Sequence, residues 1–213
     1  TLLGPAARAV RVEQEAIVRG AVSTTLMSGL TFVIIMWIIE RWRDREARFE
    51  RLASTDPLTG VANRRLLFDV SRRELARGRR YGTPTSLIII DLDHFKSIND
   101  RFGHLIGDRA LSHAAGVLGE AIRDADMIAR YGGEEFGILL PMTDLDGAYE
   151  VAERCRTRLG DRPFQFDGES VTITASLGVA TTIREGDVDD LLRRADDALL
   201  RAKALGRNRT EKA

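Results

Sequence analysis

The spacing of apolar residues divides the chain before any motif is considered. Residues 20–39 (GAVSTTLMSGLTFVIIMWII) carry no charged side chain and are about as long as a bilayer core requires, which predicts a transmembrane helix. The first half of this run is rich in Ser, Thr and Gly, so a buried or signal-anchor helix stands as the alternative. Further on, Ile35, Ile38, Trp42, Phe49 and Leu52 follow a spacing broken only at Arg45, as in a short coiled-coil seam. The expectation for residues 40–53 is a dimerising helical stalk, against a single solvated helix laced with Glu/Arg pairs.

A breaker cluster, Ser54-Thr55-Asp56-Pro57-Leu58-Thr59-Gly60, then opens a globular domain over 54–213, with Asn63 available as a helix cap. Leu66, Leu67, Val70 and Leu75 recur at helical spacing and predict a helix over 64–77. The continuous run at 86–90 (SLIII) reads as a strand buried on both faces, ending at Asp91. Residues 95–104 read as a loop, 108–122 as a helix, and 127–131 with 136–140 as a hairpin bounded by Pro141. A helix over 145–159, one strand over 170–181 and a helix over 188–205 that stops at Gly206 complete the domain. The order β-α-β-β-α-β with extra helices is the split pattern of an α/β (α+β), ferredoxin-like sheet, with one face expected to be left for ligands.

Composition narrows the chemistry. The 213 residues suffice for one ordinary domain and an appendage, and an apolar fraction of 44% can fill a core. Lys+Arg and Asp+Glu each number 32, so no net field gathers nucleic acid, and any phosphate chemistry must be local. The lone Cys155 excludes an internal disulfide and reads as a small helix residue, while His94, His104 and His113 form no zinc pattern. Arg41, Arg43, Arg45, Arg48 and Arg51 follow the predicted span, against Arg8, Arg11 and Arg19 before it, which places the C-terminal side in the cytoplasm. A start at Thr1 without Met suggests a piece of a longer protein, with 1–19 the juxtamembrane end of a sensor region.

Two groups of residues carry candidate chemistry. Asp91 and Asp93 close a rigid strand, where carboxylates are held well enough for Mg²⁺; the alternative is a pair of acidic strand caps. Gly132 and Gly133 lack Cβ atoms, which allows a turn at positive φ and a close ligand, and Glu134 and Glu135 put two like charges beside it. If that hairpin neighbours the Asp91 strand, three or four carboxylates converge on one edge, as in metal-assisted nucleotidyl transfer.

Gly132-Gly133-Glu134-Glu135-Phe136 resembles the motif of the GGDEF diguanylate cyclases in its Glu-containing form. The likeness extends over Asp56-Pro57-Leu58-Thr59-Gly60, Asn63-Arg64-Arg65, Asp91-Leu92-Asp93-His94-Phe95-Lys96, Asn99-Asp100, Gly103-His104, Gly107-Asp108 and Ala202-Lys203-Ala204-Leu205-Gly206-Arg207-Asn208, in order. The resemblance implies a homodimer in which two GTP molecules become cyclic di-GMP and two pyrophosphates, each 3′-hydroxyl attacking the other nucleotide's α-phosphate. It implies a Mg²⁺ or Mn²⁺ shell of Asp91, the Leu92 carbonyl, Glu134 and Glu135, with Glu134 and Glu135 catalytic and Glu134 favoured as the base, although sequence does not separate which of the two binds metal and which handles the proton. Asn99 and Asp108 become guanine readers, with His104 in the same segment. Phe95, Lys96, Gly132 and Gly133 become substrate contacts, and Lys203 and Arg207, four apart on the last helix, a phosphate clamp. Arg123 and Asp126 match the family's inhibitory product site. Leu200 departs from the Tyr usual there and touches none of this. Together with the span predicted at 20–39 and the arginine excess after it, the resemblance implies an enzyme anchored at a bacterial inner membrane, with its catalytic domain in the cytoplasm. The alternative is a degenerate domain that binds GTP or cyclic di-GMP without turnover, although such domains typically lose the acidic residues kept here.

Overall fold

The computed structural model describes residues 32, 34–41, 54–182 and 186–213. The chain divides into two compact units, Thr1–Leu52 and Ala53–Ala213. In the first, residues 32 and 34–41 are helical, and the apolar side chains of Phe32, Ile34, Ile35, Met36, Trp37, Ile38 and Ile39 are exposed. Among the described residues no helix is long and apolar enough to cross a membrane. Most of the expected span at 20–39 and stalk at 40–53, including Trp42, Phe49 and Leu52 of its seam, lies outside the described residues.

The second unit is organised around its most apolar run. Strand β2 (Thr85–Leu92) has side chains alternating between two cores. Ile88, Ile90 and Leu92 join one core, and Leu87 and Ile89 the other. The first core is closed by α2 (Phe95–Phe102), α3 (His104–Gly119) and α4 (Leu145–Asp161). The second is closed by α1 (Arg64–Tyr81) and α5 (Val188–Ala204), which contribute Leu67, Leu75, Leu191, Ala195 and Leu199. Cys155 is buried in the first core, and burial pushes its thiol up to about 12, as fits a packing residue.

Six strands pair in the order β1-β3-β4-β2-β7-β8. Here β1 is Ala62–Asn63, β3 Met127–Arg130, β4 Glu135–Pro141, β7 Ala175–Thr182 and β8 Thr210–Lys212. The inner four, β3-β4-β2-β7, are antiparallel throughout and have the predicted ferredoxin-like arrangement. Asn63 caps α1 as expected, accepting from the Leu66 N–H at 2.9 Å.

Three expectations are corrected. Both faces of the sheet are covered by helices, so no face is left for a ligand and the strand ends are what remains open. Residues Phe95–Phe102 are helix α2 and not a loop; Phe95 and Ile98 are buried, three apart and so on one face, a stripe too short to stand out among polar neighbours. The run 170–181 is not one strand. Its start is β6 (Glu169–Val171), which pairs only with β5 (Phe164–Phe166) in a separate hairpin. The break occurs where the Thr174 carbonyl accepts from the Asp93 N–H at 2.8 Å, ahead of β7.

Candidate active site

Register brings the acidic residues together. Asp91 lies opposite Glu135 in the β2·β4 pairing, and the Leu92 N–H donates to the Glu134 carbonyl at 3.3 Å. The turn closes on itself, with the Tyr131 and Gly132 N–H groups both donating to the Glu135 carbonyl at 2.8 and 3.1 Å. Burial, the Asp91 carboxylate and the Glu135 carboxylate push the Glu134 carboxyl above its ordinary range, partly opposed by Lys203. Neither glycine of the turn has positive φ, contrary to expectation. Gly132 instead provides room, because a Cβ there would lie 2.4 Å from Glu135 Oε2.

The counter-charge comes from α5. Lys203 Nζ lies 2.7 Å from Asp91 Oδ2, the lysine side chain being 30% and the aspartate 14% exposed. Two turns earlier on the same helix, Asp196 is pushed up by burial and by Glu135 and Asp197, against Arg64 and Lys203. Arg64 lies over the Tyr131 ring at 4.5 Å and the Phe68 ring at 5.6 Å. Among the described residues no three His, Cys, Asp or Glu side chains are grouped to hold a metal ion. The expected convergence of carboxylates is therefore a shared electrostatic environment around Lys203, not a formed ligand cage.

Of the two aspartates ending the strand, only Asp91 belongs to that environment. Asp93 is buried and accepts from Ser176 Oγ at 2.7 Å, Thr174 Oγ1 at 2.9 Å and the Asn208 N–H at 3.0 Å. These bonds use its oxygens within the protein, so it is not available as the second strand-end metal carboxylate.

The turn is also gripped from outside. Arg130, the last residue of β3, donates to the Gly133 carbonyl through Nε at 3.1 Å and Nη2 at 2.8 Å, and its Nη1 lies 3.3 Å from both oxygens of Asp56. Burial alone would raise the Asp56 pKa. Its bonds from the Thr59 hydroxyl and N–H and from Arg130 outweigh that and hold the carboxyl below its ordinary range.

The residues expected to read guanine sit on α2 and α3. Asn99, half-buried on α2, lies against Gly107 of α3, where a Cβ would come within 1.9 Å of Asn99 Oδ1; Asp108 follows directly, and Asp108 and His104 are exposed. Phe95, expected as a substrate contact, is 3% exposed and packs in the first core. Lys96 is exposed beside it, and no side chain caps α2. Arg207 is not on the last helix with Lys203. The helix ends at Ala204, and Gly206, Arg207 and Asn208 form a turn with φ of 111°, 63° and 44°. Arg123 is exposed, and its N–H donates to Asp126 Oδ2 at 3.0 Å in a tight turn before β3.

Sequence reasoning missed the roles of Arg130 and Asp196. Arg130 directly precedes the turn on a strand, and Asp196 lies seven positions before Lys203, hence on its face of α5.

A mixed sheet with an acidic turn and a lysine at its strand ends defines an α/β domain with a charged site at one strand edge. The family described as "Diguanylate cyclase, GGDEF domain" matches residues 53–209, and the chain belongs to the GGDEF diguanylate cyclase family. It is 47% identical over 161 residues to diguanylate cyclase DgcP of Pseudomonas aeruginosa, which covers 76% of this chain and 24% of that protein. The chain thus spans about a quarter of that relative's length. It is similar to the GGDEF domain of DgcB from Caulobacter crescentus in complex with c-di-GMP, with a TM-score of 0.72 at 34% identity, covering 75% of this chain and 92% of that one. It is also similar to the active GGEEF domain of a diguanylate cyclase from Vibrio cholerae, with a TM-score of 0.66 at 40% identity, covering 71% of this chain and 97% of that one.

Proposed function

We propose that this domain condenses two GTP molecules into cyclic di-GMP as a homodimer of half-sites. The observation that carries the reading is the meeting of Asp91 with the Glu134-Glu135 turn, and of Lys203 with Asp91, at the open ends of β2 and β4. The relatives' diguanylate cyclase names and the neighbour in complex with c-di-GMP support it.

The donor set fits a divalent cation. Burial and two neighbouring carboxylates disfavour charge on Glu134, and the Lys203 ammonium already stands against Asp91 as a stand-in cation. Asp91, the Leu92 carbonyl, Glu134 and Glu135 would hold Mg²⁺ or Mn²⁺. When bound, the ion supplies charge neutralisation on the triphosphate. Asn99 and Asp108 orient guanine through an amide and a carboxylate, with His104 beside them. The N–H groups of Phe95 and Lys96, in the uncapped first turn of α2, offer donors to phosphate oxygens. Lys203 and Arg207 hold the terminal phosphates.

Glu134 accepts the 3′-hydroxyl proton as that oxygen bonds to the facing nucleotide's α-phosphorus; the α,β-bridging bond breaks and pyrophosphate leaves with the electron pair. A second such transfer closes the ring, which is why two loaded subunits are required. Arg123 and Asp126 form the inhibitory product site. The exposed apolar helix at 34–39 supports a membrane anchor above a cytoplasmic catalytic domain.

The test is product formation from GTP and Mg²⁺ as protein concentration is varied. Cyclic di-GMP formed with second-order dependence at low protein concentration is expected. GTP bound by a dimer without product would replace the enzyme reading with the receptor. Arg123→Ala should relieve inhibition by added product, and unchanged inhibition would reject that site.

A further inference from the structure

Asp93 has no part in the chemistry above, yet it is a heavily bonded carboxylate beside it. It is 7% exposed, and a carboxylate buried that deeply is stable only if donors replace water. Three donors do so from two places in the chain. Ser176 Oγ reaches Oδ1 at 2.7 Å, Thr174 Oγ1 reaches Oδ2 at 2.9 Å, and the Asn208 N–H reaches the same Oδ2 at 3.0 Å. The first two fasten Asp93 to the start of β7, where Ser176 lies opposite Asp91. The third reaches beyond α5.

That third bond falls on an improbable stretch of backbone. Gly206 accommodates φ of 111° readily, but Arg207 at 63° and Asn208 at 44° are consecutive L-residues in the left-handed region, which disfavours them sterically. Such a turn persists only where its surroundings hold it. The Arg207 N–H donates to the Ala202 carbonyl at 3.0 Å, Arg156 Nη1 donates to Asn208 Oδ1 at 3.2 Å, and the Arg209 carbonyl accepts from the Leu177 N–H at 2.9 Å. Among these ties only the Asp93 bond joins the turn to the strand end that carries Asp91. The Arg207 side chain itself is exposed and makes no hydrogen bond or ion pair among the described residues.

We infer that Asp93 is a positioning residue, which through Thr174, Ser176 and the Asn208 N–H fixes the left-handed turn at 206–208 and so sets where Arg207 meets the substrate's terminal phosphates. The inference rests on the proposed clamp role of Arg207. The Asp-x-Asp spacing then divides labour: Asp91 faces the acidic turn, and Asp93 ties the arginine's backbone to the same strand end. Removing the brace leaves guanine recognition on α2 and α3 untouched but lets Arg207 wander. The loss should be specific to nucleotides with terminal phosphates.

The experiment compares binding of α,β-methylene GTP, which keeps its terminal phosphates and cannot release pyrophosphate, with binding of GMP, using the full chain. In Arg207→Ala the preference for the triphosphate over GMP should fall about tenfold, the scale of one charge-assisted contact. Asp93→Asn should lower that preference about fivefold with GMP affinity unchanged, and add nothing further in the Arg207→Ala background. Ser176→Ala keeps the carboxylate but frees its orientation, and should give a smaller loss in the same direction. In the unaltered protein the Asn208 amide should exchange with solvent more slowly than an open turn allows, a readout that needs no variant. If Arg207→Ala leaves the preference unchanged, the clamp reading fails and the inference with it. If Arg207→Ala lowers the preference while Asp93→Asn and Ser176→Ala do not, the inference alone is overturned. Equal losses for GMP and triphosphate in Asp93→Asn, or unprotected exchange at Asn208, would likewise overturn it in favour of a core-sealing role.

Discussion

The two ends of β2 handle polar groups in opposite ways. At its start, Ser86 is buried and neutral; its hydroxyl donates to the Thr143 carbonyl at 2.7 Å and lies 2.5 Å from the Thr181 hydroxyl. Nothing ionised is needed there, and the polar atoms close on one another. At its end, Asp91 faces Glu135 across the ladder and meets Lys203, while Glu134 is pushed toward its protonated form by burial and by Asp91. One end of a single strand is satisfied internally, and the other gathers carboxylates whose charge Lys203 or an external cation offsets. Seven ladder pairs of β2 with β4 hold both ends in one rigid frame, so the active end inherits its geometry from the inert one.

Substitutions at the two ends should therefore fail differently. Glu134→Gln removes the proposed base and should lower cyclic di-GMP formation by roughly 10²–10⁴-fold. Its thermal midpoint should not fall, because a disfavoured charge is lost; an unchanged rate would remove Glu134 from the chemistry. Arg130→Ala cuts the bonds to Asp56 and to the Gly133 carbonyl. It should cost about 1.5–3 kcal/mol in denaturant unfolding together with activity, since the turn loses its outer grip. At the inert end, Ser86→Ala should cost about 1–2 kcal/mol while activity per folded molecule stays constant; a catalytic defect there would erase the contrast between the ends.

The smallest effect concerns a structural charge away from both. The Arg156 hydrogen bond, opposed by burial and aided by the Thr210 hydroxyl, holds the Glu153 carboxyl below its ordinary range. A folded pKa below the unfolded one adds stability above the unfolded value, and that stability is lost as pH falls through the folded value. Thermal melts should show Glu153→Gln less stable than the unaltered chain near neutrality, with the gap closing in acid. A gap that widens in acid would reverse the assignment.

How much of this was legible in the sequence depended on whether a feature is local. The run at 86–90 announced β2, Asn63 marked the start of α1, Gly206 lay just past the end of α5, and the hairpin around Gly132 was plain from two apolar runs. Helix α2 escaped because Phe95 and Ile98 are the only buried residues in its eight. The clamp on one helical face failed because Gly206 turns the chain before Arg207 is reached. Arg130 and Asp56 are 74 residues apart, and no period in either segment points to the other. The same is true of Asp93 and Asn208, separated by 115 residues. Sequence separates which residues are acidic; only folding separates Asp91, which stays at the site, from Asp93, which is consumed by the frame.

If the charged end of β2 is catalytic and not merely a nucleotide receptor, binding and turnover must separate in one substitution. The most direct measurement follows GTP, Mg²⁺ and the dimeric protein to product by chromatography, for the unaltered chain and for Glu134→Gln side by side, with nucleotide binding measured for both. Cyclic di-GMP and pyrophosphate are expected from the unaltered chain, and bound GTP with little product from Glu134→Gln. A dimeric, unaltered chain that binds GTP and yields no cyclic di-GMP would contradict the catalytic reading.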